Sequence, residues 1–123
     1  MQKVIIDSCG WVAVIEAGLN IDSSMMELVG PFRFVLLDSV KSELENLNDS
    51  GKNLLLELLL SKADSIIPAS DDENHTDDQI LILAKQENWT VLTVDRELKR
   101  RLVEASCRVI EVVSNKRLRL VAE

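Results

Sequence analysis

The chain has 123 residues, 46% hydrophobic and 28% charged, enough for one domain (residues 1–123) that buries roughly two thirds of its unfolded surface around a single core. No run of about 18 apolar residues exists, which excludes a membrane-spanning helix, and Cys9 and Cys107 are too few and too far apart for a disulfide framework or a zinc motif. The net charge of −7 is uneven: residues 96–123 hold 8 bases against 4 acids (+4), while residues 1–95 hold 6 bases against 17 acids (−11). That asymmetry suits a protein that holds cations at one place and phosphates beside it, and equally a solvated helix with a charged tail.

In chain order, Lys3 to Asp7 forms a first strand pattern, not the charged region and long apolar stretch of a signal peptide. A reducing, cytoplasmic compartment is therefore expected. Asp7 closes this strand, and Ser8-Cys9-Gly10 turns the chain into a helix predicted over 11–17. A second helix is predicted over 24–29, then the turn Gly30-Pro31 and a strand over 34–37. The next helix, 40–47, carries an apolar stripe of Val40, Leu44 and Leu47, and Glu43 borders that stripe while Lys41 and Glu45 point away.

Asn48-Asp49-Ser50-Gly51 breaks the chain before a Leu-rich helix over 52–63. Its residues Leu54-Leu55-Leu56 and Leu58-Leu59-Leu60 are apolar on nearly every side, so it is either central to the monomer or a homodimer interface. A dimer is the preferred expectation, because a small domain seldom encloses a helix completely. A strand over 65–67, a polar stretch over 70–76 and a helix over 77–87 follow. On that helix Ile80, Leu81 and Ala84 define the inner face, Asp77 lies on it, and Asp78 is rotated away by about 100°. The chain ends with a strand over 90–94 closed by Asp95, a helix over 96–104, and strands over 108–112 and 117–121. Alternating strands and helices of this kind predict an α/β three-layer sandwich with a mostly parallel sheet of about five strands.

Four acids, Asp7, Glu43, Asp77 and Asp95, thus fall at two strand ends and on two inward helix flanks. Each has an ordinary explanation, as an N-cap, a helix-dipole partner or a flank carboxylate. Together they would repel unless something positive lay between them. Hard divalent cations take oxygen ligands, and Mg²⁺ is held by a few carboxylates plus waters and substrate phosphates. Metal-dependent phosphodiester hydrolysis is the leading expectation. His75, the only histidine, is expected to be exposed and outside the chemistry. Arg96 and Arg100 lie four apart on one helix face beside Asp95 and could receive RNA phosphates. Lys99 and Arg101 are expected to point elsewhere, and pairing of this helix's arginines with Glu97 and Glu104 is the competing reading.

These residues resemble the PIN domain. The family's opening strand ends in Asp-Thr-Asn or Asp-Thr-Ser, here Asp7-Ser8-Cys9. Its second acid lies in Val-x-x-Glu-Leu, here Val40 to Leu44. The third opens Asp-x-x-Ile, here Asp77 to Ile80, and the fourth ends Thr-x-Asp, here Thr93-Val94-Asp95. His75 to Asp78 and Asp95 to Leu102 resemble archaeal PIN proteins of the rRNA-processing type, with VapC-type toxins as more distant relatives. The resemblance implies a PIN-like parallel sheet flanked by helices, Mg²⁺ or Mn²⁺ at Asp7, Glu43, Asp77 and Asp95, endonucleolytic cleavage of RNA, and a homodimer. Ser8, Asp78 and Thr93 are accessory candidates, and an antitoxin or other protein partner is conceivable within it. Cys9 stands where the family has a hydrogen-bonding Asn or Ser, so activity could be weak unless Ser8 or Thr93 supplies the missing bond. The alternative is a weak or inactive PIN-fold module that binds RNA or protein in a ribonucleoprotein assembly. A phosphorelay receiver would need an acidic pair after the first strand and a late Lys, and a dehalogenase-type phosphatase a second Asp at position 9; neither pattern is present.

Overall fold

A computed structural model describes residues 2–18, 20–47, 57, 60–66, 76–113 and 117–121. Strand β1 (Gln2–Ile6) leads into helix α1 (Ser8–Ala17) and then α2 (Ile21–Val29). Strand β2 (Phe32–Leu37) runs without a loop into α3 (Asp38–Leu47), and β3 (Asp64–Ile66) follows. Helix α4 (Thr76–Glu87), β4 (Thr90–Leu92) and α5 (Arg96–Glu104) come next, and β5 (Val109–Val113) and β6 (Arg117–Leu120) complete the sheet.

The six strands run in the order β3-β2-β1-β4-β5-β6, parallel except for the β5–β6 pair, which is antiparallel. Helices flank the sheet. Strands covered on both faces should be apolar without alternation, and the centre obeys this: Val4, Ile5, Ile6, Val91 and Leu92 are all fully buried. Trp11 of α1 meets Phe34 of β2 edge to face, with ring centroids 5.5 Å apart. Leu98 and Leu102 of α5 and Ile80 and Ala84 of α4 press inward from the other half of the chain.

The sheet has six strands against an expected five or so, because the last candidate strand pairs with β5 along its whole length as β6. Helix starts also lie earlier than periodicity predicts. Asp7 caps α1 by accepting from Gly10 N, and Asn20 caps α2 by accepting from Ser23 N. In each case the cap recruits non-periodic residues into the first turn. Strand β1 therefore ends at Ile6 and β4 at Leu92, one and two residues sooner than the apolar runs. Most of the Leu-rich segment, including Leu55 and Leu59, and His75 lie outside the described residues. Of that segment Leu60 packs against the core.

The strand order fixes where a ligand would sit. The chain builds outward from β1 through β2 to β3, then crosses back to place β4 on the other side of β1. The order reverses between β1 and β4, and open α/β sheets bind ligands in the crevice at the carboxyl ends of strands flanking such a reversal. Asp7 follows β1 directly, and Asp95 lies three residues beyond the end of β4.

Candidate active site

Asp7 is the most confined of the four expected acids, only 4% exposed. Its position is set by both strands. Oδ1 accepts from Gly10 N at 2.8 Å, the α1 cap. Oδ2 accepts from Thr93 Oγ1 at 2.6 Å, across the β1–β4 crevice, and from Cys9 Sγ at 3.2 Å. The Thr93 oxygen in turn accepts from Asp95 N at 3.1 Å. A buried hydroxyl thus joins the two acids that follow β1 and β4. Asp95 Oδ1 accepts from Leu98 N at 3.0 Å and caps α5.

Glu43 projects from α3 and is exposed, yet both its oxygens are held. Ser8 Oγ donates to Oε1 at 2.9 Å and Thr76 Oγ1 to Oε2 at 3.3 Å. Helices α1, α3 and the first turn of α4 are tied together through this one carboxylate. A second link, Ser39 Oγ donating to Gln79 Oε1 at 2.8 Å, fixes α3 against α4 one turn away. Asp77 stands beside Thr76 in the first turn of α4, where the positive end of the helix dipole favours a carboxylate.

The electrostatics link these groups. Burial pushes the Asp7 carboxyl above its ordinary value, the Asp95 charge adds to the rise, and the bonds from Thr93, Cys9 and Gly10 oppose it. Asp77 is raised by burial first, then by the charges of Asp95, Asp7 and Glu43, with Arg101 alone opposing. Asp77 therefore senses all three of the other acids. The Cys9 thiol is pushed up to about 11, by burial and by the neighbouring Asp7 charge, so it stays protonated and acts as a donor. None of Asp7, Glu43, Asp77 and Asp95 joins an ion pair among the described residues. Nor, among those residues, is any group of three or more His, Cys, Asp or Glu side chains placed to hold a metal ion as it stands.

The helix after Asp95 differs from its sequence pattern. Arg100 is held by Glu97 and Glu104 on its own helix, the competing expectation for this face, and Lys99 donates to Glu111 at 2.6 Å. Arg96 is exposed and makes no ion pair among the described residues. Arg101 reaches α4 and donates to Asp78 at 2.7 Å. Two residues in the site carry no signal in periodicity. Thr76 lies in a polar stretch and is identified only by its bond to Glu43. Gly10 has a hint in sequence, since a glycine in a first helical turn is costly without a reason. The reason is spatial: a Cβ there would lie 2.8 Å from both Asp7 Oδ1 and Leu92 O.

A mostly parallel sheet with acidic side chains at its switch point makes this an α/β domain with a candidate site in the β1–β4 crevice. Residues 4–115 match the family described as PIN like domain, and the chain belongs to that family. Over 123 aligned residues it is 32% identical to Ribonuclease VapC4 of Methanocaldococcus jannaschii, covering 94% of each chain. Its fold superposes on that of the PIN domain endonuclease Utp24 with a TM-score of 0.77 at 21% identity, covering 96% of this chain and 90% of the other. A domain of a functionally unknown protein from Methanocaldococcus jannaschii gives a TM-score of 0.62 at 18% identity over the full length of both chains.

Proposed function

We propose that this protein is a divalent-metal-dependent endoribonuclease that uses Asp7, Glu43, Asp77 and Asp95 to hold Mg²⁺ or Mn²⁺. The observation that carries the reading is electrostatic. Four carboxylates contributed by separate segments act on one another at the sheet's switch point, with no cation paired to any of them among the described residues. Their donor chemistry fits a hard ion. A closed cage is not needed for this fit, since Mg²⁺ is ordinarily held by one or two carboxylates and completes its shell with waters and substrate phosphates. When bound, such an ion supplies an acidified water and neutralises charge that builds on the phosphodiester in the transition state.

The chain's own residues orient the acids. Thr93, Cys9 and Gly10 fix the Asp7 plane, and Ser8 and Thr76 hold Glu43 against rotation. Cys9 donates to the same oxygen as Thr93, so the place of the family's Asn or Ser is filled by a weaker donor beside a strong one. RNA as substrate is supported by the ribonuclease named among the relatives.

Purified protein with Mn²⁺ should cleave RNA, and Asp7→Asn or Asp95→Asn should abolish cleavage. Equal cleavage by parent and variants would assign the activity to a contaminant or another site. Independently, millimolar Mg²⁺ or Mn²⁺ should raise the melting temperature of the parent, because an ion that binds only the folded state stabilises it by mass action. The Asp95→Asn variant should show a smaller rise. An unchanged parental melting temperature would count for a scaffold role.

A further inference from the structure

The four cations clustered near the start and middle of α5 have different fates. Arg100 is neutralised twice by its own helix, and Lys99 is spent on Glu111. Arg96 faces solvent. Arg101 alone turns to α4, where its NH2 group donates to Asp78 Oδ1 at 2.7 Å. Asp78 adjoins Asp77 in the first turn of α4, so this guanidinium is set beside the acidic crevice.

We propose that Arg101 binds a backbone phosphate of the RNA next to the acidic site, with Asp78 presenting the guanidinium; the inference rests on the endoribonuclease reading. A guanidinium carries five N–H donors, and Asp78 engages one of its nitrogens. Nε and NH1 have no partner among the described residues. The planar fork matches two phosphate oxygens, which a point-charge ammonium does not. The side chain is 32% exposed and that of Asp78 36%, open enough for a polymer to reach. A single half-buried pair between two helices contributes modestly to stability, and the variants below separate a helix clamp from a phosphate site. A phosphate seated there would meet a guanidinium at the edge of an otherwise acidic crevice in a domain of net negative charge.

Binding of a fluorescein-labelled single-stranded RNA of mixed sequence, followed by anisotropy across a potassium chloride series, tests this. The Asp95→Asn background with Mg²⁺ prevents cleavage during the measurement. Arg101→Gln should weaken binding roughly tenfold, the loss of one charge-assisted contact. It should also make the slope of log affinity against log salt shallower by about 0.7, the value for one phosphate contact on a single strand. Arg101→Lys, which keeps the charge and the helix, should retain the slope and lose several-fold in affinity. Asp78→Asn frees the guanidinium and should bind at least as tightly as the background protein. Equal weakening by Asp78→Asn and Arg101→Gln would reduce the pair to a helix clamp, and an unaltered slope in Arg101→Gln would remove the phosphate contact; either overturns the proposal. If the wild type neither binds nor cleaves RNA, the endoribonuclease reading itself fails and takes this inference with it.

Discussion

Replacing Thr93 by Val tests how the site is held together. The hydroxyl is fully buried, donates to Asp7 Oδ2 at 2.6 Å and accepts from Asp95 N at 3.1 Å. Valine keeps the branched shape and removes both bonds. A hydrogen bond to a charged group contributes about 1.5–3 kcal/mol. Cys9 remains as a weaker donor on the same oxygen, which favours the lower half of that range. The amide of Asp95 loses its acceptor at a half-buried position that water can partly reach, adding less than about 1 kcal/mol. The sum is about 2–3 kcal/mol, or about 10 °C in melting temperature for a chain of this size. The pH dependence is the stricter check. The Thr93 bond favours the ionised carboxylate, so losing it raises the Asp7 pKa further above 3.8. Between the unfolded and folded values the folded state keeps a proton that the unfolded state has released, so a raised pKa removes stability as pH rises through that window. The Thr93→Val deficit should therefore be full at neutral pH and shrink as pH falls through the folded pKa of Asp7. Thermal melts of wild type, Thr93→Val and Thr93→Ser at several pH values read this directly. A deficit equal at acid and neutral pH, or shared by Thr93→Ser, would refute the role assigned to the hydroxyl.

Two further substitutions probe the frame around the site. Gly10→Ala should destabilise the protein by about 1–3 kcal/mol, the usual cost of forcing an extra methyl into a packed place, and should reduce cleavage more than a matched core variant, since Asp7 or the Leu92 carbonyl must shift; parental melting and cleavage would contradict the close approach. Glu111 lies 7% exposed between Lys99 and Arg119, and these partners hold its carboxyl below its ordinary 4.5. A depressed folded pKa means stability present above that ordinary value and lost as pH falls through the folded one. Glu111→Gln should accordingly lower the melting temperature at neutral pH and bring the variant and parent together in acid; a gap independent of pH would argue against the charge pairing.

Much of the fold lay open in the sequence because the central strands are short apolar runs and helices such as 38–47 and 96–104 carry a clear apolar stripe. The six strand patterns became six strands, with Asp7 directly after β1 and Asp95 three residues beyond β4. Two things were hidden. The return of the chain from β3 to the far side of β1 depends on long-range pairing, for which no local pattern codes, and it is this return that makes Asp7 and Asp95 neighbours. The fate of the α5 cations was hidden in part only. A helical wheel puts Arg96 and Arg100 on one face, but Glu97 and Glu104 stand three before and four after Arg100, the spacing at which helix side chains meet. Counting those partners gives Arg100 two carboxylates on its own helix to pair with. Arg101 needs the position of α4, which its own helix does not reveal.

The capping role of the acids and the ligand role proposed for them use the same side chains. Asp7 and Asp95 each give Oδ1 to the first turn of the helix that follows, Gly10 N for one and Leu98 N for the other. A cap of this kind fixes the side-chain torsions of the residue that makes it. The second oxygen of Asp7 is then set onto Thr93, and Oδ2 of Asp95 is left free of hydrogen bonds among the described residues. Capping thus lowers the rotamer entropy that would otherwise be lost when carboxylates gather around an ion. Two βα turns on either side of a switch point suffice to aim two acids at one place. Glu43 and Asp77 lack such caps: the hydroxyls of Ser8 and Thr76 steady Glu43, and the positive end of the α4 dipole favours Asp77.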